Sequence, residues 1–142
     1  MITRVAKVNQ IYNLNRDCIY ISIHVNAAGA DGKWHNATGW CAYTSKGITK
    51  ADKLAECLYD EAERLLTPLN KKIRKDLSDE DRDWEANFYV LRNTKCPAVL
   101  TENFFQDNIE DVEWLSSEEG KEVITNIHVN GIINYIKKGD SK

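Results

Sequence analysis

Two side chains in this sequence stand where an apolar strand runs out and could do chemistry there: His24 in "CIYISIHVNAAG" and Glu102 in "PAVLTENFFQDN". In open α/β sheets, ligands gather at the carboxyl ends of the strands. An imidazole at such a position can ligate zinc or simply hydrogen-bond within the core. A glutamate following Val99 and Leu100 is unfavourable in an apolar setting unless it is ionised against a partner, hydrogen-bonded, or held neutral for catalysis. Together the pair suits a metal-assisted hydrolase, in which a metal activates water and the carboxylate moves protons. Spacing does not decide between these readings, because the chain has no H-E-x-x-H and no close histidine pair. His35, in "GKWHNATG", reads as a residue of the cleft rim or a further metal donor. His128 falls on an apolar helix face with Ile124, Ile127 and Ile132 and reads as a core histidine.

The elements that must position these residues follow from periodicity. Val5, Val8, Ile11 and Tyr12 predict an amphipathic helix over Thr3 to Asn13 that leads into a strand. That strand, Ile19 to Val25, is a near-continuous apolar run of the kind buried on both sheet faces. A Gly/Asp/Asn-rich loop from Ala27 to Asn36 precedes a second strand, Thr38 to Thr44. Thr49, with Asp52 three residues on, caps a helix whose buried face is Leu54, Ala55, Leu58, Ala62, Leu65 and Leu66, and Pro68 closes it. The charged segment from Lys71 to Ala86 is too poor in apolar residues for core. It reads as a solvated loop or as the rim of a substrate cleft. Strands follow at Phe88 to Leu91 and Ala98 to Thr101. Ser116 and Glu119 are spaced as a capping box, and Val123, Ile124, Ile127, Ile132, Tyr135 and Ile136 form the stripe of a closing helix. The alternation predicts a three-layer α/β fold, its sheet mainly parallel or mixed and its helices on both faces.

Composition bounds the function. The 142 residues are 42% hydrophobic and 29% charged, which fits one globular domain, residues 1–138 with a tail at 139–142. A net charge of −3 without a basic stripe argues against nucleic acid as a partner. The longest apolar runs are too short for a membrane span. Cys18, Cys41, Cys57 and Cys96 include no C-x-x-C pair and read as buried, reduced thiols.

The blocks "CIYISIHVNAAG", "GWCAYTSKG", "FYVLRNTKCPAVLTENFFQDN" and "GKEVITNIHVNGIINYI", in this order, resemble the later part of a zinc-dependent N-acetylmuramoyl-L-alanine amidase catalytic domain of the amidase-3 type. The resemblance runs from about residue 3 to residue 137. It implies a phosphorylase/hydrolase-like sheet, His24 as a Zn2+ ligand, Glu102 as the catalytic residue, and Asn26 and Arg92 along the substrate groove. The reaction implied is hydrolysis of the amide joining N-acetylmuramic acid to L-alanine of the peptidoglycan stem peptide. Such amidases take two more zinc ligands, a histidine in a Gly-His-Gly-like turn and a helical glutamate, and both precede the region matched by Met1. The expectation is therefore an N-terminally truncated domain, inactive alone and prone to self-association through an exposed sheet edge. A catalytically dead module binding muropeptide or a partner is the alternative, and an α/β binding protein without metal chemistry is a third reading. By resemblance the parent belongs to the bacterial envelope, is secreted, or is a phage lysin.

Overall fold

The computed structural model describes residues 2–140. Its four strands, β1 (Tyr20–Asn26), β2 (Trp40–Thr44), β3 (Trp84–Glu85) and β4 (Ala98–Phe105), form one sheet in the order β1-β4-β2-β3. Five helices surround it: α1 (Ile2–Leu14), α2 (Ala51–Leu66), α3 (Tyr89–Asn93), α4 (Ile109–Ser116) and α5 (Glu118–Asp140). β1 runs parallel to β4, β2 antiparallel to β4, and β3 parallel to β2, so the sheet is mixed.

Register divides the side chains between two faces, since partners across a ladder project the same way. On one face Trp40, Ala42 and Val99 meet Leu54, Leu58, Tyr59 and Leu66 of α2 and Ile127 of α5, forming the main core. On the other, Ala98 and Leu100 meet Val5 of α1 and Val90 and Leu91 of α3, with Tyr20 and Tyr43 at the margin. Helices thus cover both faces, as the alternating pattern predicts.

Local chemistry sets the helix ends. The Thr49 hydroxyl accepts from the Ala51 N–H at 3.2 Å while Asp52 accepts from the Thr49 N–H at 2.8 Å, so Thr49 and Asp52 close the entry to α2 reciprocally. Pro68 lies in a 3-10 turn, Thr67–Leu69, that prolongs the helix until Asn70 turns left-handed at φ 55°. At the start of α5 the cap is Ser117 and not Ser116: its hydroxyl accepts from the Gly120 N–H at 3.1 Å, and Glu119 instead accepts from the Trp114 indole. The helix continues through Gly139 and Asp140, the first half of the expected tail, and Met1, Ser141 and Lys142 lie outside the described residues.

Four further expectations are corrected. Phe88 to Leu91 is not a strand; the chain turns helical at Tyr89, burying the consecutive residues Val90 and Leu91 against α1 and β4. A run this short carries no period that separates the two states. β4 extends to Phe105, so Glu102 sits inside the strand and not at its last residue. β1 is buried on one face only near its end, because it is an edge strand lying beyond the α2 and α5 layer: Ile23 is 60% and Val25 45% exposed. The apolar stripes of the end helices are only partly used, with Val5 buried but Ile11 exposed in α1, and Ile127 buried but Ile136 exposed in α5.

The segment from Lys71 to Ala86 contributes structure that its composition hides. Ile73 forms a bridge to Trp40, and β3 adds a short parallel partner to Tyr43 and Thr44. The Thr44 hydroxyl donates to the buried Asp83 carboxylate at 2.6 Å, and burial pushes that acid up to about 7. Cys41, Cys57 and Cys96 are buried and Cys18 is half-buried, all as free thiols.

Candidate functional site

His24 on β1 and Glu102 on β4 are register partners across the parallel ladder, and Cys41 of β2 lies opposite Glu102 on its other side. The three side chains therefore form a row across one face, on strands about 4.8 Å apart. On the same face, the Ser22 hydroxyl is 2.7 Å from His24 Nε2. α1 and α3 cover the opening residues of this face, and along the row His24 and Glu102 are half-buried while Cys41 is fully buried.

Glu102 is half-buried, and its Oε2 is fully buried without a hydrogen-bond partner among the described residues. Burial raises its pKa above the ordinary 4.5, partly offset by the positive charge of Arg74. A strand carboxyl with a burial-raised pKa and an unpartnered oxygen is a candidate functional group.

The other face holds the row in place. The Trp40 indole N–H donates to Asn103 Oδ1 at 2.7 Å, and Asn103 Nδ2 donates both to the His24 carbonyl at 2.9 Å and to Thr101 Oγ1 at 3.0 Å. His128, 2.9 Å from Thr101 Oγ1, completes the chain. Its Nδ1 lies 2.8 Å from the Ile124 carbonyl, which can only accept; Nδ1 therefore carries the proton and Nε2 accepts from Thr101. Burial lowers the His128 pKa, and the residue is part of the core as its helix position predicts. Phe104 follows at φ 66°, and the β1–β4 register shifts between His24 and Asn26, which ends regular pairing beside the site.

Beyond the bulge the chain is tied down by three residues of "FFQDNIED". Asp107 accepts from the Ala28 and Gly29 N–H groups at 2.9 and 3.1 Å, which holds its carboxyl below the usual range. Asn108 donates to the Ala37 carbonyl, and Asp111 accepts from the Thr38 hydroxyl at 2.6 Å and the Phe105 N–H at 3.0 Å. This fixes the loop between β1 and β2 as one wall of a cavity of about 530 Å3, lined by Asn26, Thr38, Tyr43, Lys72, Arg74 and Phe105 among others. The cavity borders the row of His24 and Glu102 through Arg74, whose charge acts on Glu102, Cys41 and Tyr43.

Of the residues singled out from sequence, the structure brings His24 and Glu102 side by side and puts Asn26 in the cavity wall. Arg92 is elsewhere, exposed on α3 with its guanidinium 5.9 Å from the Tyr89 ring and outside the lining of the cavity. His35 is held in the loop by Asp31 at 2.8 Å, a bond that raises its own pKa. Arg74, Asn103, Asp107 and Asp111 were not singled out. For Asp107 and Asp111 a signal existed: Asn108 caps α4 by accepting from the Asp111 N–H at 3.1 Å, a spacing readable in "DNIED". For Arg74 there was none, since it sits among other charges.

A catalytic zinc takes three protein donors and keeps one open position. Among the described residues no group of three or more His, Cys, Asp or Glu side chains can close around an ion. His24 and Glu102 offer an imidazole and a carboxylate, so the described residues do not by themselves fit a complete catalytic zinc centre.

A mixed sheet layered by helices, with an imidazole and a half-buried carboxyl as register partners on adjacent strands, defines an α/β domain with a candidate site on one sheet face. The chain belongs to the Amidase_3 family, described as N-acetylmuramoyl-L-alanine amidase, whose sequence model matches residues 2–134. N-acetylmuramoyl-L-alanine amidase CwlM of Bacillus licheniformis is 33% identical over 114 residues, covering 80% of this chain and 38% of that protein. The endolysin of Bacillus phage SPP1 is 28% identical over 118 residues, covering 83% of this chain and 40% of its own. The crystal structure of N-acetylmuramoyl-L-alanine amidase from Clostridium difficile 630 superposes with a TM-score of 0.69 at 23% identity, over 94% of this chain and 65% of that one. The chain thus spans well under half the length of these two curated relatives. Among the described residues no helix is long and apolar enough to cross a membrane.

Proposed function

We propose that this chain forms the site-bearing part of a peptidoglycan hydrolase that cleaves the amide between N-acetylmuramic acid and L-alanine of the stem peptide. The observation that carries the reading is the pairing of His24 with Glu102, whose buried Oε2 has no partner, in a chain of this family. Glu102 takes the proton from the attacking water and returns it to the departing alanine amine, base first and acid second. Burial raises its pKa above the ordinary 4.5, the direction that helps it hold the proton until the amine departs. Zinc is part of the proposal: the ion would supply Lewis-acid activation when bound, with His24 as one donor. On this reading residues 1–142, with one donor of the set, are inactive by themselves, and the complete enzyme is the full-length protein, since this chain spans under half the length of the two curated relatives. Its place of action is the bacterial wall, reached either from the cell's own envelope or by a phage lysin.

Clearing of a peptidoglycan suspension by the complete enzyme tests the role of His24. His24→Ala slows clearing by at least about a hundredfold, the upper end of what loss of a ligand's outer-shell support alone costs, and an unchanged rate contradicts the proposed site. If the protein binds muropeptide and never clears, the binding-module reading replaces this one.

The exposed edge of β1, with Ile23 and Val25 uncovered, leads to a second expectation. Residues 1–142 sediment as dimers or larger species at micromolar concentration, and Ile23→Lys shifts them toward monomer. A wild-type chain that sediments as a monomer refutes this.

A further inference from the structure

The extended residues Lys72 to Arg74 lie along Trp40 like a strand: the Trp40 N–H donates to the Lys72 carbonyl at 3.0 Å and the Arg74 N–H to the Trp40 carbonyl at 2.8 Å. Side chains alternate along such a segment. Ile73 turns inward to the main core, while Lys72 and Arg74 both line the cavity beside Glu102. Gly39 makes room for them. A Cβ added there would stand 2.7 Å from Arg74 Cγ and 3.4 Å from Lys72 Cγ, and its φ of 128° is one that side chains rarely adopt. The chain gives up a side chain at the point where the stems of these two cations cross it.

The Arg74 guanidinium is held between aromatic faces, 5.6 Å from the Trp84 ring and 5.5 Å from the Phe105 ring. Its neighbours in sequence spend their charge inside the protein. Arg82 pairs with Glu56, Asp60 and Glu63, and Lys75 pairs with Glu63. Arg74, by contrast, makes no ion pair among the described residues, although it is half-buried and lines a cavity of a size suited to a small peptide. Glu102 feels its charge yet keeps an unpartnered Oε2, so the two are close without being joined. A preorganised guanidinium whose fork is not engaged by any protein carboxylate matches a carboxylate brought in by the ligand.

We propose that Arg74, seated over Gly39 with Lys72 beside it, anchors the free α-carboxylate of the acidic second residue of the stem peptide while Glu102 faces the scissile amide. This rests on the amidase reading above. That carboxylate is the anionic group nearest the bond to be cut, one residue beyond the alanine. The assignment makes the cleft selective for stem peptides whose second residue is a free acid over those in which it is amidated.

The test titrates N-acetylmuramoyl-L-alanyl-D-glutamic acid, and separately its D-isoglutamine amide, into residues 1–142 while following backbone amide resonances. The acid binds about tenfold more tightly than the amide, the scale of one charge-assisted pair, with shifts at Gly39, Tyr43 and Arg74. Arg74→Gln reduces the preference to about twofold or less by removing that pair, and Arg74→Lys, which keeps charge and stem but not the fork, falls between. Equal binding of acid and amide by the wild-type chain overturns the anchor while leaving the amidase reading intact. So does an undiminished preference in a folded Arg74→Gln protein. Binding of neither ligand by the folded chain also overturns the anchor, while clearing by the complete enzyme decides the amidase reading separately.

Discussion

In the complete enzyme, Glu102→Gln lowers kcat by about three orders of magnitude, within the span attributed to a positioned acid-base group, and leaves muropeptide affinity unchanged. The substitution keeps shape and hydrogen-bonding capacity but cannot take a proton from water. Because Glu102 is a register partner of His24 and its Oε2 meets no protein donor, no other carboxylate in the described site is placed to substitute. The pH profile carries the same signature with a defined sign. Burial raises the Glu102 pKa above 4.5, so the base is lost as pH falls through a value higher than that of an ordinary glutamate. The acidic limb of kcat/KM therefore sits above 4.5 in the wild type, and the residual activity of Glu102→Gln lacks it. A kcat within about threefold of wild type, far short of a lost acid-base group, would make Glu102 a structural carboxylate. Steady-state kinetics across pH 4 to 9 on soluble muropeptide reads both effects.

Trp40→Ala has the largest expected effect on stability, about 3–5 kcal/mol in urea unfolding, the scale for deleting a buried large aromatic. Trp40 is fully buried, packs edge-on against Tyr59 at 5.0 Å, and donates its indole N–H to Asn103. Its loss opens a cavity between β2 and α2 and leaves Asn103 Oδ1 without its donor. A domain of this size holds about 5–15 kcal/mol in all, so the variant stands near the edge of folding. Trp40→Phe separates the two contributions: the ring remains and the unpaired Asn103 acceptor costs about 1–3 kcal/mol. Because Asn103 also holds the His24 carbonyl, both variants loosen the strand end that carries the imidazole. A Trp40→Ala chain as stable as wild type would mean that the packing described for the main core is not its principal support.

The parts of this fold legible from sequence are those fixed by local period. The face of α2 from Leu54 to Leu66 is buried as its spacing predicts, and the apolar runs of β1 and β4 are strands. His24 and Glu102 were visible as candidates because each follows such a run. Their adjacency was not, since 78 positions separate register partners that only a non-local parallel pairing brings together. Phe88 to Leu91 misled for a related reason: four apolar residues fit a strand or one helical turn equally well, and the contacts of Val90 and Leu91 with Val5 and Leu100 decide for the helix. Arg74 was hidden by its company. The Trp84 and Phe105 rings that flank its guanidinium distinguish it from Lys71, Lys72 and Lys75. Asn103 reads in "TENFF" as one more strand residue, and its role arises from bonds to Trp40 and His24, each more than sixty residues away in sequence.

The proposed reaction names the bond that breaks, and product analysis reads it directly. Purified peptidoglycan digested by the complete enzyme should release stem peptides with a new α-amine on L-alanine and leave muramic acid with a free lactyl carboxylate, both identified by mass spectrometry. Glu102→Gln should release neither at a comparable rate. New reducing sugar ends, cleavage within the peptide, or no release of any fragment by the wild-type enzyme would contradict the assignment.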